Sequence, residues 1–140
     1  MSAGTGINHS EFNGSATEPA HFLQIWLLPD TAGLPPRYQE AEFPEPELRN
    51  RLRLIASRDG AEGSVVLFQD VQVHIARLDP GQSVVHAFGQ GRHGYLQVAK
   101  GAVELNGRAL AAGDGAALSQ EDRAAIQATA DSEILLFDLA

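Results

Sequence analysis

From Leu52 to the C-terminus the chain is a succession of short apolar runs, each closed by a residue pair that favours a tight turn, with hardly a helical period among them. Val71-Gln72-Val73-His74-Ile75-Ala76-Arg77-Leu78 alternates apolar with polar residues and stops at Asp79-Pro80-Gly81-Gln82, so a strand with one wet face followed by a turn is expected. The same reading gives strands at Val65 to Gln69, Ser83 to Phe88, Gly94 to Ala99, Ala102 to Leu105, Gly115 to Leu118, Ala124 to Ala128 and Glu133 to Leu139, after a short pattern at Leu52 and Leu54. Asn106-Gly107 fits a type I′ hairpin, because both residues tolerate positive φ, and Gly113-Asp114 marks another turn. Many short strands at this spacing predict an all-β fold, an antiparallel sandwich or a closed barrel.

The 140 residues suit one core, and no apolar run approaches the roughly 20 residues that cross a bilayer as a helix. No membrane association is expected. The first ten residues carry neither a basic nor an apolar leader region, so the expected location is the cytoplasm. A formal charge of -8 argues against direct nucleic-acid binding. The absence of cysteine excludes disulfides, thiolate metal sites and a cysteine nucleophile. Histidine and carboxylate remain as metal ligands, suited to iron, manganese, nickel, copper or zinc.

Ahead of the strand-rich part, His9 and Glu11 stand two residues apart, with Ile7 and Phe12 beside them and no helix-capping signal. On an extended segment they share a face and can converge on one cation while Ser10 points away. Two such residues on a solvated strand also commonly bind nothing. After a small, polar connector, His21 to Leu28 reads as a strand buried on both faces, with Phe22 and Trp26 as core residues. Pro29 to Glu47 is dense in proline and acidic residues and reads as a long loop, its Glu40, Glu42, Glu45 and Glu47 serving solubility. Arg49, Arg51 and Arg53 alternate with leucines, which favours a solvated strand face over a basic stripe for an anionic partner. His74 shares the face of Gln72 and is expected to be exposed; His86, His93 and Tyr95 are candidates to line a small-molecule pocket.

The turn series Pro80-Gly81, Gly101 and Gly107 to Gly113-Asp114 resembles the cupin barrel pattern. The segments Gly4-Thr5-Gly6-Ile7-Asn8-His9-Ser10-Glu11-Phe12, His21 to Trp26, Ser57 with Asp59-Gly60, Gly63-Ser64, Gln69-Asp70 and Glu133 to Leu139 together resemble the pirin family from end to end. The resemblance implies a bicupin, two jelly-roll barrels in tandem, with one metal, usually iron, held in the first barrel by three histidines and a glutamate. It assigns His9 and Glu11 as two of those metal ligands, and Glu11 also as the catalytic base toward a flavonol hydroxyl. The His-x-His-Arg-Gly segment that supplies two further ligands is absent.

By this resemblance residues 1–28 are a remnant of an N-terminal cupin, 29–50 a proline-rich acidic loop and 51–140 a C-terminal cupin barrel. The expected explanation is a truncated piece, a misassigned start or a shortened homologue. Membership of that family would imply a quercetin 2,3-dioxygenase or a transcriptional coregulator. The expectation for this chain is a dioxygenase lineage that uses Fe(II) or another divalent transition metal on flavonols such as quercetin, inactive in this form. The alternative is a metal-free module that binds or regulates a protein. A metal-binding cupin would place a His-x-His pair near Val84 to Phe88 and a glutamate at Gly94, so the second barrel looks metal-free. Exposed strand edges are expected to make the chain a homo-oligomer.

Overall fold

A computed structural model describes residues 1–140. One helical turn, α1 (Glu45–Leu48), precedes ten strands: β1 (Arg53–Ser57), β2 (Val65–Val66), β3 (Val71–Leu78), β4 (Ser83–Ala87), β5 (His93–Lys100), β6 (Ala102–Leu105), β7 (Arg108–Ala111), β8 (Gly115–Leu118), β9 (Arg123–Ala128) and β10 (Ser132–Leu139). They form a six-stranded sheet in the order β2-β1-β3-β10-β5-β8 and a four-stranded sheet in the order β4-β9-β6-β7. The expected all-β, cupin-type architecture is therefore present, as two facing sheets that no strand pairing closes into a cylinder. β10 lies at the centre of the larger sheet, antiparallel to both β3 and β5. Central placement, buried on both faces, accounts for its nearly unbroken apolar run.

The alternation of β10 sets two environments. Ile134 and Leu136 point between the sheets, where they join Ala76, Leu78, Leu96, Val98, Val103, Leu105, Ala124 and Ile126 in the main core. Leu135 and Phe137 point the other way and join Val71 and Val73 in a second cluster on the outer face of the large sheet, against which Leu27, Leu67 and Ile75 pack. Between these cores the turns are tightly specified. Gly101, with φ of +79°, joins β5 to β6, and a Cβ there would lie 2.1 Å from the Asp131 carbonyl oxygen, so both conformation and space demand glycine. Asn106 and Gly107 have φ of +47° and +78°, as a type I′ turn requires.

Several expectations are corrected. Residues 1–44 contain no helix or strand; the only regular contact is the Ser2–Arg37 bridge. His21 to Leu28 is not a buried strand: Phe22, Trp26 and Leu28 are 68%, 84% and 79% exposed, so Phe22 and Trp26 are not core residues. A strand is completed by a neighbour's backbone hydrogen bonds, and this segment makes none. The expected strand at Val65 to Gln69 shortens to two residues, and β7, the second arm of the Asn106-Gly107 hairpin, was not anticipated. The proline-rich loop ends in the unanticipated α1, with proline only at its start, where an N–H is not needed.

The acidic and basic residues of 40–53 do more than solubilise. Arg49 pairs with Asp79 and Glu45, Arg77 with Glu45 and Glu133, and Arg53 with Glu47 at 2.9 Å and with the Glu62 carbonyl at 2.7 Å. Arg53 also lies over the Phe43 ring, 5.1 Å from its centre, and so ties the loop to β1 and to the turn after it. Arg53→Ala is expected to cost about 2 kcal/mol, because a charge-assisted hydrogen-bond set and a cation–π contact disappear together. A urea midpoint unchanged from that of the native chain would contradict this.

Candidate functional site

His9 and Glu11 lie on an irregular, exposed segment, corrected from the strand expected there. Their side chains approach each other all the same, with His9 Nε2 4.0 Å from Glu11 Oε1. No group of three or more histidine, aspartate or glutamate side chains anywhere in the chain converges on a point that could hold a metal. The pair offers one imidazole and one carboxylate to a divalent ion, a fitting donor set for a first-row transition metal, but only part of a coordination shell. No reaction step can be derived from it alone.

A second, denser constellation sits at one end of the sandwich interior. β10 carries Asp138 at its C-terminal end, in phase with Ile134 and Leu136, so its carboxylate points inward and is 4% exposed. Opposite, on β4, His86 Nε2 lies 2.7 Å from Asp138 Oδ2; an ionised carboxylate only accepts, so the imidazole donates. Arg92, from the β4–β5 loop, donates through Nε to Asp138 Oδ1 and through Nη2 to the Asp138 carbonyl at 3.0 Å. Its Nη1 reaches Asp70 Oδ1 at 3.1 Å in the loop before β3. The hydrogen bond to Asp138 holds the guanidinium charged, with its pKa above the ordinary arginine value. One arginine thus fastens three chain segments across the end of the sandwich.

His74 packs against this array from β3, its ring centre 4.9 Å from that of His86. It is 9% exposed, which corrects the expectation of a solvated side chain, and its buried Nδ1 has no hydrogen-bond partner. Burial pushes its pKa down to about 4; the neighbouring His86 adds to the depression, while Asp138 and Glu62 oppose it. Phe88 closes the same end, edge-on to His86 at 5.1 Å, and its ring fills the space beside Gly94, where a Cβ would sit 2.3 Å from Phe88 Cζ. Phe88 and Gly94 together thus plug this end of the interior with an aromatic ring.

The expected pocket of His86, His93 and Tyr95 does not form. His86 faces inward, whereas His93 and Tyr95 are exposed on β5, and Tyr95 packs on Phe137 of the outer cluster at 6.1 Å. Tyr95, Gln97, Leu135 and Phe137 instead line one side of an outer groove of about 350 Å³, whose other side is the 23–27 segment. Asp138, Arg92 and Asp70 went unrecognised in the sequence. The available signal was an aspartate in an inward position of an otherwise apolar strand, since a buried carboxylate demands a partner.

Comparison with known proteins places these features. The model of the quercetinase C-terminal cupin domain matches residues 54–139. Quercetin 2,3-dioxygenase of Escherichia coli (strain K12) is 40% identical over 139 residues, covering 99% of this chain and 59% of that protein. A pirin-like protein of Caulobacter vibrioides is 37% identical, over 100% of this chain and 60% of its own length. The chain thus spans less than two thirds of the curated relatives it matches. The crystal structure of YhhW from Escherichia coli superposes with a TM-score of 0.77 at 34% identity, over 82% of this chain and 48% of that one. Bacterial pirin YhhW in complex with nickel(II) gives 0.74 at 34% identity, over 79% and 47%. No helix is long and apolar enough to cross a membrane. From the matched domain, the inward-facing core and the extent of these similarities, the chain belongs to the pirin family of cupin proteins.

Proposed function

We propose that His9 and Glu11 are this chain's contribution to a divalent transition-metal centre, and that the remaining ligands come from outside the chain. The observation that carries this reading is the approach of the two side chains, 4.0 Å apart and open to solvent, the only histidine and carboxylate within residues 1–17. Residues 1–28 are then a remnant of a first cupin, 29–50 a connecting loop and 51–140 the second cupin. In a complete centre the metal would be Fe(II) or a related divalent ion, in keeping with the nickel(II) complex of bacterial pirin YhhW. The substrate would be a flavonol such as quercetin, in keeping with the names of the relatives. Glu11 would hold or accept the flavonol hydroxyl proton. Two ligands leave most of an octahedral shell to water, so the chain by itself is expected to bind metal weakly and to lack dioxygenase activity.

Anaerobic titration with Fe(II) and with Ni(II) tests this. The expected result is weak binding that His9→Ala and Glu11→Gln each abolish. Metal binding left intact in both variants would remove the assignment. A second reading, a non-catalytic cupin module that binds or regulates a protein, is favoured by one observation: Phe88 and the Arg92–Asp138 clamp fill the end of the sandwich interior beside His86. Complete absence of binding in the native chain would select that reading.

A further inference from the structure

A two-residue hairpin turn with positive φ at both central residues favours Asn followed by Gly, and β6 and β7 are joined by Asn106 and Gly107 at +47° and +78°. Nothing lies within 4 Å of where a Cβ at Gly107 would sit, so conformation alone requires glycine here. The same pair is chemically vulnerable, because a glycine nitrogen, with no side chain beside it, attacks a preceding asparagine amide more readily than any other. Asn106 is exposed to water, yet its amide is fully engaged. Oδ1 accepts from Ala125 N–H at 2.8 Å, and Nδ2 donates to the Arg123 carbonyl at 3.0 Å and to Glu121 Oε2 at 3.4 Å. The main-chain N–H of Asn106 donates to the Ala125 carbonyl at 2.9 Å. The side chain thus acts as an added peptide group beyond the Leu105–Ile126 pair and fastens the end of the hairpin to β9.

We propose that Asn106 is a site of spontaneous deamidation, whose rate is set by opening of this turn and whose product keeps the turn from closing again. In the step, the Gly107 nitrogen gives up its proton and bonds to Asn106 Cγ, the Cγ–Nδ2 bond breaks, and Nδ2 leaves as ammonia. Water then opens the resulting five-membered imide, at Cγ to leave aspartate or at the main-chain carbonyl carbon of residue 106 to leave isoaspartate. Water is the only co-reactant, and nothing is oxidised or reduced. Ring closure moves the amide group, so its hydrogen bonds to Ala125 and Arg123 must break first. A carboxylate in place of the amide only accepts. It keeps Ala125 N–H but meets the Arg123 carbonyl and the Glu121 carboxylate with no proton to give, so acceptor faces acceptor at both. Isoaspartate also lengthens the main chain by an atom within a two-residue turn. The reaction therefore marks, in one direction, those chains in which the β6–β7 hairpin has lifted from β9. It does not depend on the metal assignment of His9 and Glu11.

Peptide mapping of the native chain by mass spectrometry follows conversion at Asn106 separately from any at Asn13-Gly14. The expected rate is lower by about ten-fold or more than that of the free peptide Val103 to Leu110, and it rises in urea below the unfolding midpoint, in step with exchange of the Asn106 amide hydrogen. Asn106→Asp presents the product directly. Corrected for intrinsic rates, the amide hydrogen of residue 106 should exchange faster in this variant by about ten-fold or more, since the bond to Arg123 is lost and two acceptors are set against the new carboxylate. Conversion in the folded chain as fast as in the peptide, or none where urea opens the turn, overturns the inference. So does an Asn106→Asp chain that exchanges at the native rate, in which Arg108 or Arg123 has taken up the new charge and the turn closes as before.

Discussion

Replacing Asp138 with alanine is expected to remove about 4 kcal/mol of folding stability, the cost of breaking a buried charge set by deleting one member. The carboxylate is 4% exposed and accepts from both Arg92 Nε and His86 Nε2. Without it, Arg92 keeps only Asp70 and the carbonyl of residue 138, and His86 has no acceptor. The strand end of β10, the β4–β5 loop and the loop before β3 lose their common fastening together. A domain of this size has about 5–15 kcal/mol in all, so a large part of the stability goes with one side chain. Asp138→Asn, which keeps the shape and one acceptor, should fall between. If the cost is uncompensated charge, and not lost volume, Asp138→Leu combined with Arg92→Leu should recover part of the stability lost in Asp138→Ala. Urea unfolding of these variants decides the matter: an Asp138→Ala chain within about 1 kcal/mol of native would show that the array closes the sandwich without stabilising it.

This array was the part of the structure least legible in the sequence, and the reason is geometric. Local patterns fix what local patterns encode. β3 at Val71–Leu78, β6 at Ala102–Leu105 and β8 at Gly115–Leu118 fall where alternation and turn residues put them, because side-chain phase and turn chemistry are properties of neighbouring residues. Which face of a strand becomes the interior is not such a property. In β3, Val71, Val73 and Ile75 offer one apolar face, while Ala76 and Leu78 share theirs with Gln72 and His74. Alternation alone assigned the histidine to water. It is the pairing of β3 with β10, Gln72 opposite Asp138 and His74 opposite Leu136, that turns this face inward. The arm shows the converse: Phe22 to Leu28 has the composition of a buried strand and no partner within the chain, so its pattern predicted a layer that this fold does not contain. His9 and Glu11 stood out by residue type and spacing, whereas the Asp138–Arg92 contact joins residues 46 apart and is visible only once the sheet is assembled.

Acid should destabilise the chain through His74 over a defined window. The imidazole titrates near 6.5 in the unfolded chain and near about 4 in the fold, where burial and then His86 disfavour the cation more than Asp138 and Glu62 support it. Arg92, clamped on Asp138, adds a further fixed positive charge to the same array. Above pH 6.5 neither state binds the proton and the group makes no pH-dependent contribution. As pH falls from 6.5 toward 4, the unfolded chain gains a proton that the folded one refuses. Stability then declines by about 1.4 kcal/mol per unit, up to about 3 kcal/mol in all. Below that window both states are protonated and the decline from this residue stops. His74→Leu should flatten the profile between pH 6.5 and 4 by that amount. At neutral pH it should cost little, since the native Nδ1 is buried without a partner and leucine replaces it with an apolar group. Urea unfolding across pH, with the His74 imidazole followed by NMR, separates this contribution from those of the other four histidines. An imidazole that titrates near 6.5 in the folded chain, or a variant that keeps the native acid slope, would mean that water or a mobile neighbour solvates His74 and that the packed array is looser than its distances imply. The acid response of His74 therefore measures, independently of the Asp138 substitution, how tightly this end of the cupin is closed.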